Sequence, residues 1–208
     1  MKNRKEEYWS RFARSFEADQ EYIAGKGNVQ ALVRKLHEEH DLKEVIELGC
    51  GTGRFTKEIA GNAKHIVTTD LSDEMLEVAR IRLSSFPNVT VQKADCCRTS
   101  FRSAIFDTVF MVNLIHVIEN PSDALRESYR ILRNGGKLLI ASGTNYGAKE
   151  SDIRGRVTRY LKVWGMPPSS YQTSLSPDEL ASLVESAGFE VDVVQHVKLW
   201  LYLNATKK

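Results

Sequence analysis

Glu47, Gly49, Gly51, Gly53, Asp70, Asp95 and His116 are the residues whose types and spacing suit chemistry on a bound ligand. The three glycines are separated by single residues in "VIELGCGTGRFT", residues 45–56, directly after an apolar run. A strand that turns sharply into a helix needs residues that tolerate positive φ and lack a Cβ. It also presents free backbone N–H groups at the helix N-terminus, so a ligand can touch the main chain closely. The dinucleotide fingerprint is G-x-G-x-x-G, whereas the order here is G-x-G-x-G. Glu47, just ahead of the loop, would repel a pyrophosphate and suit an ammonium group. Asp70 ends the next apolar run, where a carboxylate accepts hydrogen bonds from ribose hydroxyls. Asp95 ends the run after that, in place to accept from an adenine amino group. Three carboxylates around a glycine loop describe a nucleoside with a cationic end and no phosphates.

The surrounding pattern supplies the elements to hold these groups. "EVIELG" reads as a buried strand, and "GRFTKEIAG" as a short helix stopped by Gly61. "HIVTTD" is a second strand ending on Asp70. Ser72 caps the next helix, with Asp73 and Glu74 in its first turn and Met75, Leu76, Ala79 and Leu83 as its apolar face. "NVTVQKAD" is a third strand. "FDTVFMVN" is a fourth, apolar nearly throughout, as a strand buried on both faces should be. A helix opens at Pro121, runs through Leu132 and is ended by Gly135 and Gly136, before "KLLIAS" makes a fifth strand. "SPDE", residues 176–179, is a capping box opening another helix, with Gly188 as its stop. The tail "FEVDVVQHVKLWLYLNAT" reads as an antiparallel hairpin at one sheet edge. These units predict an α/β fold with a doubly wound, mostly parallel seven-stranded sheet and helices on both faces. In such sheets ligands bind beyond the carboxyl ends of the strands.

At 208 residues, 42% hydrophobic and 27% charged, the chain suits one domain with its own core. A net charge of +2 gives no global push toward nucleic acid or anionic membrane. Three cysteines make no disulfide framework. "MKNRKEEYWSRF" has no apolar core of a signal peptide, and no membrane-spanning run appears, so the expectation is a soluble, cytoplasmic protein. Residues 1–43 form a helical lid or packing segment of two helices, striped by Trp9, Phe12, Ala13 and Phe16 and by Val29, Leu32, Val33 and Leu36. Residues 144–175 form a substrate-side insertion holding a helical "DIRGRVTRYLKVWG" and a "PPSS" break. The basic "RGRVTRYLK" within it reads as a solvated helix face, which disfavours nucleic acid as a partner.

Five motifs in order, "ELGCGTG", "TTDLSDEML", "KADC", "FDTVFMVNLIHVIENP" and "ALRESYRILRNGGKLLIA", carry a family resemblance. The chain resembles class I S-adenosylmethionine-dependent methyltransferases, within them the small-molecule group of ubiquinone/menaquinone-biosynthesis type. The resemblance implies S-adenosylmethionine as cofactor and a small-molecule methyl acceptor. It places Gly49, Cys50, Gly51 and Gly53 against the methionine part and Glu47 near its amino group. Asp70 would take both ribose hydroxyls, with Leu71 and Met75 near the adenine and Asp95 and Cys96 at its edge. Asn113, ending the fourth strand, and Leu114 would sit near the methionine part. The "EYIAGKGN" segment resembles one in related enzymes in which the residue matching Tyr22 touches the cofactor.

His116 follows the fourth strand. It is either a general base or substrate ligand, or a histidine packed beside the cofactor. Cys96 and Cys97 suit a thiophilic substrate, or core and pocket lining; no other cysteine or histidine grouping has metal-site spacing, so no metal is expected. Rival readings are a non-catalytic methyltransferase-like binding protein, an RNA or protein methyltransferase, and a nicotinamide dehydrogenase. The assembly expected is a monomer or homodimer, without membrane attachment.

Overall fold

The computed structural model describes residues 4–167 and 174–208, with the side chains of residues 4 and 5 left aside. All of the "PPSS" break except Pro167 lies outside them. Three helices, α1 (Arg4–Ser10), α2 (Phe16–Ala24) and α3 (Lys26–Leu36), precede the first strand, where the stripes predicted two. The chain turns over residues 11–15, with Phe12 N–H donating to the Trp9 carbonyl and Ser15 N–H to that of Phe12. This turn lets Trp9, Phe12 and Phe16 pack around the single indole of Trp164. Gly25, at φ +86°, separates α2 from α3.

The alternating portion follows: β1 (Glu44–Leu48), α4 (Arg54–Ile59), a 3-10 turn (Ala60–Asn62), β2 (His65–Asp70), α5 (Asp73–Leu83), β3 (Val89–Lys93) and β4 (Phe106–Val112). Then come α6 (Pro121–Ile131), β5 (Leu132–Gly143), α7 (Glu150–Trp164), α8 (Pro177–Glu185), β6 (Phe189–Val197) and β7 (Trp200–Lys207). The predicted cap of α5 is present, with Ser72 Oγ accepting from Met75 N–H. Both halves of the capping box open α8.

The seven strands are ordered β3-β2-β1-β4-β5-β7-β6. The first five are parallel, and β7 inserts antiparallel between β5 and β6. The predicted α/β sheet with its C-terminal hairpin is therefore observed. Of the hairpin's two strands β6 is the one at the edge: β7 is buried along most of its length, whereas β6 is largely exposed. One boundary moves. The helix α6 ends at Ile131, and β5 starts at Leu132 instead of after the glycines. Leu132 pairs with Phe106, and the register then shifts as the chain passes Gly135 and Gly136. A Cβ on Gly136 would stand 2.8 Å from the Arg133 carbonyl oxygen, so these glycines serve the irregularity and not a helix stop.

Each face of the sheet carries its own core. Leu125 and Ile131 of α6 and Leu180 and Val184 of α8 meet Ile46, Val109, Ile140 and Leu203 on one face. Val29, Leu32 and Leu36 of α3 and Phe55 and Ile59 of α4 meet Val45, Phe110 and Tyr202 on the other. A third, separate cluster joins Tyr8 to Tyr160 and Trp164, with Trp9, Phe12, Phe16, Ile23 and Val163 packed on it. Among the described residues no helix is long and apolar enough to cross a membrane.

Candidate active site

The chain leaves β1 toward β2 and β3 on one side and returns to β4 on the other. The carboxyl ends of β1 and β4 therefore diverge and open a crevice, the usual binding place in sheets of this kind. A cleft of about 790 Å³ lies there. Its floor is the β1–α4 loop. Gly49, Gly51 and Gly53 all have positive φ, at +72°, +54° and +75°. A Cβ on Gly49 would lie 2.6 Å from Leu114 Cδ1, and one on Gly51 would lie 3.3 Å from Phe16 Cε1. Gly49 thus lets the loops after β1 and β4 approach, while Gly51 clears space beneath the N-terminal helices. Gly53 does not line the cleft. A Cβ there would strike Leu83 of α5 at 2.8 Å, so its lack of a side chain serves packing of the loop on α5.

Glu47 is 1% exposed yet borders the cleft. Its carboxylate accepts from the Thr56 hydroxyl and from that of Thr68, the latter at 2.9 Å. Burial pushes its pKa up to about 7 against the opposing hydrogen bonds. Such a carboxyl is poised to ionise when a cation arrives. Asp70 accepts from Gly51 N–H at 2.8 Å and from Ser72 N–H at 2.9 Å. It therefore braces the glycine loop as well as facing the cleft, and burial raises its pKa too. Leu71, Met75, Cys50, Asn113 and Leu114 line the same cleft. Asn113 lies just past β4 with φ +55°, its N–H donating to the Ala141 carbonyl.

Asp95, Cys96 and Cys97 also line the cleft, but in the loop beyond β3 and not at its last residue, since pairing stops at Lys93. Asp95 is exposed and accepts from Cys97 N–H at 2.9 Å. The ligating atoms of these three residues lie within 4.8 Å of one another. The Cys96 thiol is held well above the ordinary range by its hydrogen bond with Cys97 and by burial, so it stays protonated.

His116 Nδ1 shares a hydrogen bond with Ser142 Oγ at 2.9 Å. Burial lowers its pKa to about 4, which keeps the imidazole neutral. A neutral ring can accept a proton or a hydrogen bond. Tyr22 departs from expectation. It is 46% exposed and lies outside the cleft, with Lys162 over its ring, because α2 turns Gln20, Ile23 and Ala24 inward instead.

The folded chain brings further groups that the sequence pattern did not single out. Arg54 follows the glycine loop, pairs with Glu21 at 2.5 Å and borders the cleft; its Nη1 is buried with no hydrogen-bond partner. Its position next to the loop was the available signal. Glu17 of α2 pairs with Arg82 of α5, and Ser10 Oγ meets Ser72 Oγ at 2.7 Å, so the N-terminal helices are latched across the loop. Arg156, Val157, Tyr160, Leu161 and Trp164 of α7 face the cleft. The expected solvated face of "RGRVTRYLK" is thus only part of that helix, whose apolar residues recur at helical spacing.

Residues 46–140 match a family described as methyltransferase domain. The demethylmenaquinone methyltransferase of Tropheryma whipplei (strain Twist) is 26% identical over 160 residues, 71% of this chain and 66% of that protein. The O-methyltransferase cnsE of Penicillium expansum is 29% identical over 162 residues, 75% of this chain and 55% of that protein. The chain thus spans less than two thirds of the length of these relatives. Among solved structures, a SAM-dependent methyltransferase from Thermotoga maritima superposes with a TM-score of 0.72 at 24% identity, covering 97% of this chain and 99% of that one.

Proposed function

We propose that this chain is a class I S-adenosylmethionine-dependent methyltransferase that methylates a small-molecule acceptor and releases S-adenosylhomocysteine, a reading supported by its fold and by the match of residues 46–140 to a methyltransferase domain. The observation that carries the reading is one juxtaposition at the sheet's switch point. A buried carboxyl poised near neutrality, a second carboxylate and a loop stripped of Cβ atoms face one cleft. That donor set fits a phosphate-free nucleoside carrying an ammonium group and disfavours a dinucleotide.

When bound, S-adenosylmethionine supplies an electrophilic methyl on a sulfonium. Asp70 takes the ribose hydroxyls while bracing Gly51. Glu47, held from behind by Thr56 and Thr68, takes the ammonium. The orphaned Nη1 of Arg54 offers a donor to the carboxylate of the methionine part. Leu71, Met75 and the loop from Asp95 to Cys96 enclose the adenine. Asn113 and Leu114 close the opposite wall. The protein's further task is to hold the acceptor in line with the transferring methyl, near 3–3.5 Å. The rings of Trp9, Phe16 and Trp164 exclude water and favour a cationic donor through their faces. His116, neutral and anchored by Ser142, orients the acceptor through a hydrogen bond, its pKa of about 4 leaving it a weak base.

The small-molecule reading rests on the kind of relatives matched and on a cleft walled by apolar rings. Its test compares S-adenosylhomocysteine, S-adenosylmethionine and NAD by thermal shift, then screens acceptors with a labelled methyl donor. The sulfur nucleosides should raise the melting temperature by mass action. Stabilisation by NAD alone would refute the reading.

A further inference from the structure

Arg156 is the basic residue of α7 that lines the cleft, and it also borders a neighbouring pocket with Asp152 and Arg159. Its basic neighbours on the helix are engaged elsewhere. Arg154 pairs with Glu150, Arg159 donates to the Ile23 carbonyl, and Lys162 lies over Tyr22. Arg156 instead donates to the neutral Asn145 Oδ1 at 2.5 Å. Among the described residues no carboxylate lies within ion-pair distance of it; Asp152, one turn earlier, acts only through the field, and Arg159 opposes it. Burial without a paired anion lowers the pKa of Arg156, a cost that a bound oxyanion would repay.

The chain places this cation beside the reacting region. Asn145 follows Gly143 by two residues, and a Cβ on Gly143 would stand 3.7 Å from His116 Cε1 and 3.5 Å from Asn113 Oδ1. Arg156, Asn145 and His116 therefore share one wall of the cleft, with the aromatic Tyr160 and Trp164 on the same helix as Arg156. The carboxylates bordering the cleft come from other elements: Glu6 from α1, Glu47 and Asp70 from the first two strands, Asp95 from the loop after the third, Glu119 from the loop after β4 and Asp123 from α6. Among the described residues α7 thus adds a cation and no carboxylate to the cleft wall.

The geometry points to an acceptor that carries a carboxylate, anchored by Arg156 and Asn145, on an aromatic or apolar body lying against Tyr160 and Trp164. A guanidinium matches a planar carboxylate through two parallel hydrogen bonds, and the Asn145 amide adds a donor beside it. The carboxylate is the handle and keeps its charge, while the methylated atom lies toward His116. This inference rests on the methyltransferase reading of the same cleft.

The experiment uses the full chain and measures binding by calorimetry. S-adenosylhomocysteine is titrated first into the wild type and into Arg156→Gln and Arg156→Lys. Benzoate, cinnamate and indole-3-acetate, each paired with its carboxamide, and phenyl phosphate are then titrated into the saturated proteins. The expected result is a carboxylate bound at least about tenfold more tightly than its amide, a preference lost in Arg156→Gln and partly restored in Arg156→Lys. Unchanged nucleoside affinity in the variants shows that they are folded. Equal binding of acid and amide, a preference that survives Arg156→Gln, or preference for the phosphate would overturn the inference while leaving the methyltransferase reading intact. Failure of the wild type to bind S-adenosylhomocysteine would overturn both.

Discussion

Glu47 shows how one side chain links stability to ligand. Its pKa is about 7 in the fold against 4.5 unexposed to it. A raised carboxyl favours the folded state while protonated. Its contribution is therefore full below pH 4.5 and is lost as pH rises through about 7. The ligand-free protein should lose melting temperature across that window, and Glu47→Gln should flatten the profile. The affinity for S-adenosylhomocysteine should move the opposite way, strengthening as Glu47 ionises, with the rise absent in Glu47→Gln. An affinity that ignores pH in the wild type would separate Glu47 from the ammonium. Asp70→Ala should weaken the same binding by roughly tenfold or more, because charge-assisted hydrogen bonds contribute about 1.5–3 kcal/mol. It should also lower stability, since Asp70 holds the Gly51 and Ser72 N–H groups. An unchanged dissociation constant would remove it from the ribose. Gly49→Ala should be worse tolerated than an exposed Gly→Ala, combining φ +72° with a 2.6 Å approach to Leu114.

At the scale of elements, α1 and α2 meet α7 over the cleft through an aromatic cluster separate from both sheet cores. Tyr8 donates to the Trp164 carbonyl, and Trp164 Nε1 donates to Asp19. We read this as a lid, drawn as lids are from contacts outside the main cores. Deleting residues 1–20 should leave a folded sheet with weakened cofactor binding and lost transfer. Hydrogen exchange in α2 should slow when S-adenosylhomocysteine is added. Unfolding of the deletion, or exchange indifferent to the nucleoside, would make the segment ordinary packing. The α8 capping box is a structural counterpart: Ser176→Ala should cost about 1 kcal/mol in denaturant melts without altering nucleoside affinity.

For the molecule as a whole, the two termini are predicted to behave unequally. The strand β7 is paired on both sides, and Leu201, Tyr202, Leu203 and Ala205 are each no more than 1% exposed. Truncation before Trp200 opens the sheet between β5 and β6 and strips both cores. It should abolish cooperative unfolding, whereas removal of residues 1–20 should keep it, as calorimetry can read.

Much of this was legible in the residues alone. Apolar runs ending in Gly49, Asp70 and Asn113 marked the strand ends, because a parallel strand is buried on both faces and ligand chemistry collects where it stops. Ser72 and the "SPDE" box marked helix starts, because capping is a local hydrogen bond. Glu47 was recognisable as a carboxylate beside the glycine loop, but its near-neutral pKa arises from desolvation by elements distant in sequence. Gly53 and Tyr22 shared the local signals of their neighbours, yet packing sends one against Leu83 and leaves the other in solvent. The stripe of Trp9, Phe12 and Phe16 predicted one helix, and only the presence of Trp164 explains why the chain bends around it. Arg156 looked like one charge in a basic run, since a helix exposes all its basic residues until another surface selects a face. Periodicity and capping are local and survive in a one-dimensional reading, whereas burial, pairing and the direction of a side chain depend on contacts that only the folded sheet brings together.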